Sequence, residues 1–154
     1  IGGLLALGAL FVAIPLVLSS RLEERKDLAL GKAWTASSSL SDVGCTSPLQ
    51  TCAASPDYFF HTLEEDNPWL AIDLGSKKTI SAVRVKNRAD CCADRAVPLI
   101  VETSLDNKSW QRVARRTEEF TDWKAKFAPT TARFVRLTVP RRTLLHLQAV
   151  RVLP

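Results

Sequence analysis

Ile80-Ser81-Ala82-Val83-Arg84-Val85-Lys86 is the stretch whose pattern decides the fold. Side chains of an extended chain alternate between two faces, so Val83 and Val85 point one way while Arg84 and Lys86 point the other. Carried two residues further, the alternation puts Arg88 on the polar side. The same period recurs outward along the chain. Ile100-Val101-Glu102-Thr103-Ser104 and Gln111-Arg112-Val113-Ala114 flank the turn-forming Asp106-Asn107-Lys108-Ser109, with Trp110 leading into the second strand. Ala132-Arg133-Phe134-Val135-Arg136-Leu137-Thr138-Val139 alternates likewise and stops at Pro140. Shorter runs at Leu70 to Leu74 and Leu147 to Leu153 complete the set, and the apolar stretch Leu144 to Leu153 is expected to pair back near the domain's start. Short period-two runs separated by turn residues, with no long amphipathic helix after residue 28, predict an all-β fold, a two-sheet antiparallel sandwich. No internal repeat or low-complexity tract interrupts it.

The chain has 154 residues, 46% hydrophobic and 24% charged, which suits one globular domain. Ile1 to Leu18 carries no charge. As a helix those residues would reach about 27 Å, near the thickness of a bilayer's hydrocarbon core. Leu18-Ser19-Ser20 only weakly imitates a signal-peptide cleavage site, and Pro15 is tolerable in a membrane helix. Residues 1–20 are therefore expected to form a transmembrane or signal-anchor helix, 21–27 a charged stalk, and 28–154 the single domain beyond it.

A net charge of +5 and a pI near 9.3 raise the question of an anionic partner. Arg112, Arg115 and Arg116, and later Arg141 and Arg142, are short clusters among many acids, without interleaved stacking aromatics. They read as solvated surface, and nucleic-acid binding is not expected. Four cysteines follow the apolar segment, Cys45 with Cys52 and Cys91 beside Cys92. An even count after an export segment reads as disulfides in an oxidising compartment, so the domain is expected on the extracytoplasmic side, periplasmic or extracellular. Zinc is the competing reading, but the spacings are not C-x-x-C and His61 and His146 lie far from an H-x-x-x-H pattern.

One constellation carries chemistry. His61 precedes Arg88 by 27 positions, and Arg88-Ala89-Asp90-Cys91-Cys92-Ala93-Asp94-Arg95 has the form R-x-D-x-x-x-x-R around a cysteine pair. This resembles the F-type lectins, or fucolectins. The wider frame, Leu28-Ala29-Leu30-Gly31-Lys32-Ala33, Asn67-Pro68-Trp69-Leu70-Ala71-Ile72-Asp73-Leu74-Gly75 and Ala132 to Leu137, looks like the discoidin, or coagulation-factor type C, domains to which fucolectins belong. The resemblance covers about residues 28–154 and implies a discoidin-like jelly roll. It implies further that His61, Arg88 and Arg95 bind L-fucose or a fucosylated glycan, with Asp90 orienting an arginine. Guanidinium forks bridge neighbouring hydroxyls, so two arginines and an imidazole can distinguish stereoisomers.

Bonding Cys91 to Cys92, held about 3.8 Å apart by a trans peptide, would make a rigid apolar ring able to pack on a sugar's carbon edge. Free thiols or bridges to partners elsewhere are the alternatives. Cys45 and Cys52 are spaced for a local loop closure, and the favoured pairing is Cys45–Cys52 with Cys91–Cys92. Fucolectins commonly hold a structural calcium. Here the Cys45 to Cys52 insertion replaces the usual loop and Gln148-Ala149 stands where Cys-Glu would, although Asp42, Asp57 and backbone carbonyls could still supply ligands. An apolar wall for the sugar's methyl could come from Tyr58, Phe59 or Phe60, unless these are core, or from Trp34 or Leu40.

The expected function is thus a non-enzymatic, membrane-anchored lectin, whose single weak site would gain avidity from many copies or an oligomer. A structural or adhesion module with a degenerate sugar site is the alternative. An enzyme is not expected: Glu64, Glu65 and Asp66 near His61 read as a solvated loop, and no nucleophile motif, phosphate loop or metal triad accompanies them.

Overall fold

The computed structural model describes residues 26–40 and 58–154. The expected membrane segment, most of the stalk, the Cys45–Cys52 bridge, Asp42 and Asp57 lie outside the described residues. Among the described residues no helix is long and apolar enough to cross a membrane.

The described chain is an all-β antiparallel sandwich. Its strands are β1 (Trp34–Ala36), β2 (Phe60–His61), β3 (Glu65–Asp66), β4 (Trp69–Asn87), β5 (Leu99–Ser104), β6 (Gln111–Arg116), β7 (Asp122–Thr138), β8 (Arg142–Thr143) and β9 (His146–Leu153), with one 3-10 turn at Ala93–Ala96. They pair in the order β2-β9-β4-β7-β5-β6, with β1 also on β4, while β3 and β8 form a separate pair.

The sequence pattern separates Leu70 to Leu74 from the run at Ile80, yet both belong to one nineteen-residue strand. Gly75 is the reason. It takes φ +81° and donates its N–H to the Asp73 carboxylate at 2.8 Å, so the chain bends through a conformation that a side chain would strain and then resumes pairing. The register of β4 on β7 shifts twice, between Asp73 and Lys78 and between Ile80 and Ala82. Leu70, Ile72, Leu74 and Ile80 are fully buried before the second shift, Val83 and Val85 after it. A bulge therefore changes which parity faces the core, and without it Arg84 would point inward. Residues 127–129 of β7 lie opposite that same bulge, between the partners of Ile80 and Ala82. Pro129 sits there, where its missing N–H removes no ladder hydrogen bond.

The expected pairing of the last apolar run with the domain's start is present. The N–H of Leu28 donates to the Val152 carbonyl at 2.8 Å, and the Asp27 carboxylate accepts from the N–H groups of Ala29 and Val152. Asp27, at the end of the expected stalk, is thus tied to β9. The strand β9 ends there, and its other end, at His146, lies beside the groups described next.

Candidate functional site

The site is built where β4 ends. Asn87 is the last residue of that strand and its side chain is buried. Its amide donates to the carbonyls of Ala93 and Phe120, both at 3.1 Å, and its carbonyl oxygen accepts from the Arg88 N–H at 2.8 Å. One carboxamide therefore clamps both ends of the 88–95 loop from beneath. Arg141 braces the loop from outside: its Nε–H donates to the Val97 carbonyl at 2.8 Å and its Nη2 to that of Asp94 at 2.7 Å. The Thr143 hydroxyl donates to the Arg95 carbonyl. Arg141, which reads in the sequence as a solvated surface cation, is in this respect a structural bracket.

Arg88 points to the polar side, as the alternation of β4 predicts. Asp90 grips it from two residues away, accepting from Nε and, at 2.7 Å, from Nη2. The bidentate hydrogen bonds hold the Asp90 carboxyl down at about 2, well below the usual carboxylate range. Between Asp90 and the turn, Cys91 and Cys92 are joined by a disulfide across a Cα–Cα distance of 3.8 Å, and Cys92 takes the left-handed conformation, φ 63° and ψ 38°. The Cys92 carbonyl then accepts from the Arg95 N–H, opening the 3-10 turn that carries the Arg95 side chain. The four-residue span from Cys92 to Arg95 is thereby short and hydrogen-bonded.

His61 reaches the same region from β2. Its strand pairs with β9 in the register His61 to His146, and its carbonyl accepts from the Leu40 N–H. The imidazole is 7% exposed, and its Nδ1 lies 2.7 Å from the Thr62 carbonyl, a contact that makes Nδ1 the donor and leaves Nε2 as an acceptor. Burial holds the His61 pKa below 6.5 against the raising effect of that hydrogen bond, and the positive charges of Arg88 and Arg95 lower it further. The neutral form is therefore favoured.

Three residues of this neighbourhood escape the motif. Tyr58 lies under Arg88, whose guanidinium carbon is 4.6 Å from the ring centroid, and meets His61 edge-on at 5.5 Å. His146 is fully buried, 5.0 Å from His61 between ring centroids, and neither of its ring nitrogens has a hydrogen-bond partner among the described residues. Burial, with the charges of His61, Arg88 and Arg95, holds it at about 4. Asn87 is the third. Phe59 and Phe60, candidates for an apolar wall, are instead core, 2% exposed and packed around Trp34. The acids beside His61 are also occupied: Glu65 accepts from the hydroxyls of Ser37 and Ser38, and Glu64 lies 3.5 Å from Arg142. Among the described residues no three His, Cys, Asp or Glu side chains are grouped to hold a metal ion.

A β-sandwich with a guanidinium-rich loop at the end of one strand has the architecture of the galactose-binding-like modules. Residues 50–137 match the F5/F8 type C family profile described as NedA-like, galactose-binding domain, and the chain belongs to that family. It is similar to Fucolectin-1 of Anguilla japonica, 30% identical over 100 residues that make up 60% of this chain and 56% of the relative. Fucolectin-6 of the same species is 31% identical over 104 residues, 62% and 56% of the two chains. The chain thus spans little more than half the length of these relatives. Among solved structures, the lectin domain of Lectinolysin complexed with Lewis B antigen superposes with a TM-score of 0.65 at 25% identity, over 82% of this chain and 94% of that one. The fucolectin from Morone saxatilis serum superposes with a TM-score of 0.71 at 21% identity, over 83% and 48%, a likeness of fold.

Proposed function

We propose that this chain is a non-catalytic lectin that binds L-fucose, or a glycan bearing it, through His61, Arg88 and Arg95 beside the Cys91–Cys92 ring. The observation that carries the reading is the state of Arg88. Its guanidinium is held in plane by Asp90 and lies over Tyr58, on a loop whose other end presents Arg95. A fork oriented before the ligand arrives loses less entropy on binding. His61 supplies the complementary acceptor, since its Nε2 can accept a hydrogen bond from a sugar hydroxyl that the arginines approach as donors. The sulfur ring adds an apolar surface between the two arginines for the sugar's carbon edge. The similarity to eel fucolectins and to a lectin domain complexed with Lewis B antigen supports the same ligand class.

A monosaccharide held by one such site would bind with a dissociation constant on the order of 0.1–1 mM. Tethering through residues 1–20 on an extracytoplasmic face, or oligomerisation, would raise the effective strength on a multivalent glycan. Calorimetric titration of L-fucose into wild type and Arg88→Ala tests the assignment. Saturable binding lost in the variant is the expected result. Heat in neither chain, or equal binding in both, overturns it and favours an adhesion module without a working sugar site.

A further inference from the structure

Both arms of the proposed site rest on a side chain that the His/Arg/Arg motif does not contain. Tyr58 immediately precedes two core phenylalanines, but it is half-buried where they are buried, and its ring meets Arg88 and His61. Its face lies under the Arg88 guanidinium at 4.6 Å and it meets the His61 imidazole at 5.5 Å with an interplanar angle of 73°. A guanidinium has five N–H donors in a plane. Asp90 engages Nε and Nη2 within that plane and so fixes rotation about the normal, whereas a ring against the face fixes the tilt. The side of the fork turned away from Asp90 is then aimed in one direction. Because the same ring touches His61, the positions of the Arg88 edge and the His61 acceptor are set relative to each other, not only to the backbone.

We infer that Tyr58 is a positioning residue of this site, a plate that locks Arg88 and His61 into one mutual orientation and so sharpens discrimination between stereoisomeric sugars. The inference rests on the sugar-binding reading above. Two hydroxyls are read jointly when the groups reading them cannot move independently, and a guanidinium freed to tilt would follow the hydroxyl of an epimer.

The test uses the full chain with Tyr58→Phe, which keeps the ring, and Tyr58→Leu, which removes it, with Tyr58→Met as a second ring-less variant should leucine impair folding. Affinities for L-fucose and its stereoisomer L-rhamnose are measured, together with the NMR signal of the Arg88 Nε–H in the ligand-free chain. Phenylalanine is expected to stay within about two-fold of wild type, and the ring-less variants to bind L-fucose about five- to ten-fold more weakly. The fucose-to-rhamnose preference should fall with the affinity, and the Arg88 Nε–H signal should broaden or vanish. Wild-type affinity, preference and Arg88 signal in a folded ring-less variant would overturn the inference. If wild type binds no sugar, the Arg88 signal alone decides: its loss on removing the ring upholds the positioning role and places the failure on the ligand, and its persistence overturns the role.

Discussion

His146 illustrates what a single residue contributes here. A buried ring whose two nitrogens find no partner among the described residues is destabilising, because a polar group withdrawn from water without a hydrogen bond costs about 1–3 kcal/mol. Its folded pKa of about 4 lies below the ordinary value of 6.5. Between those two pH values the unfolded chain binds a proton that the folded chain does not, so stability falls as the pH drops through this window, at up to about 1.4 kcal/mol per pH unit. His61, depressed in the same direction, adds to the fall near the upper end. We expect His146→Leu to be as stable as wild type or more so at pH 7, and to lose less stability on acidification. Urea midpoints measured at pH 7 and pH 4.5 check this, and a variant less stable at pH 7 would mean that the ring nitrogens are satisfied. His61 has a second consequence. Protonation removes the Nε2 acceptor and sets a third cation beside Arg88 and Arg95, so sugar affinity should hold at pH 7 and fall below the depressed His61 midpoint.

The loop from Arg88 to Arg95 owes its shape to the strand beneath it. The Asn87 side chain makes three hydrogen bonds from a buried position, two of them to the carbonyls of Ala93 and Phe120. Asn87→Ala leaves those carbonyls and one N–H to find new partners, and we expect a loss of about 2–4 kcal/mol in the free energy of unfolding, read from urea denaturation. Weaker sugar binding should accompany it, since both arginines hang from the clamped loop. An unchanged midpoint would show that the loop holds itself. The elements were legible in proportion to their regularity. Val83, Val85 and Arg84 announce their strand by simple alternation, as do Val135, Leu137 and Arg136. The continuity of β4 and β7 was not legible, since the alternation shows only in the separate runs at Leu70, Ile80 and Ala132, and only the register shows Gly75 and Pro129 lodged in a bend and a bulge that keep each strand intact.

For the whole molecule, the antiparallel sandwich follows from strand count and period, whereas the site depends on which strands become neighbours. His61, Arg88, the cysteine pair and Arg95 stand out through their spacing along the chain. Tyr58, Asn87 and His146 carry no such signal: Tyr58 stands only among several candidates for an apolar wall, no motif points to Asn87, and His146 meets His61 only because β9 returns beside β2. That return also separates the molecule's two ends. His146 lies at the start of β9 beside the site, while its last residues are bonded to Asp27 and Leu28. An eight-residue strand spans about 25 Å, so about that distance separates the His146 end of β9 from the end bonded to Asp27. The central claim, that sugar is held at the end of β4, is tested most directly by mapping backbone amide shifts in isotope-labelled protein as L-fucose is added. The account predicts saturable shifts concentrated in residues 58–62 and 87–97, with the β5–β6 turn unmoved. Shifts centred elsewhere, or none at millimolar sugar, would contradict it.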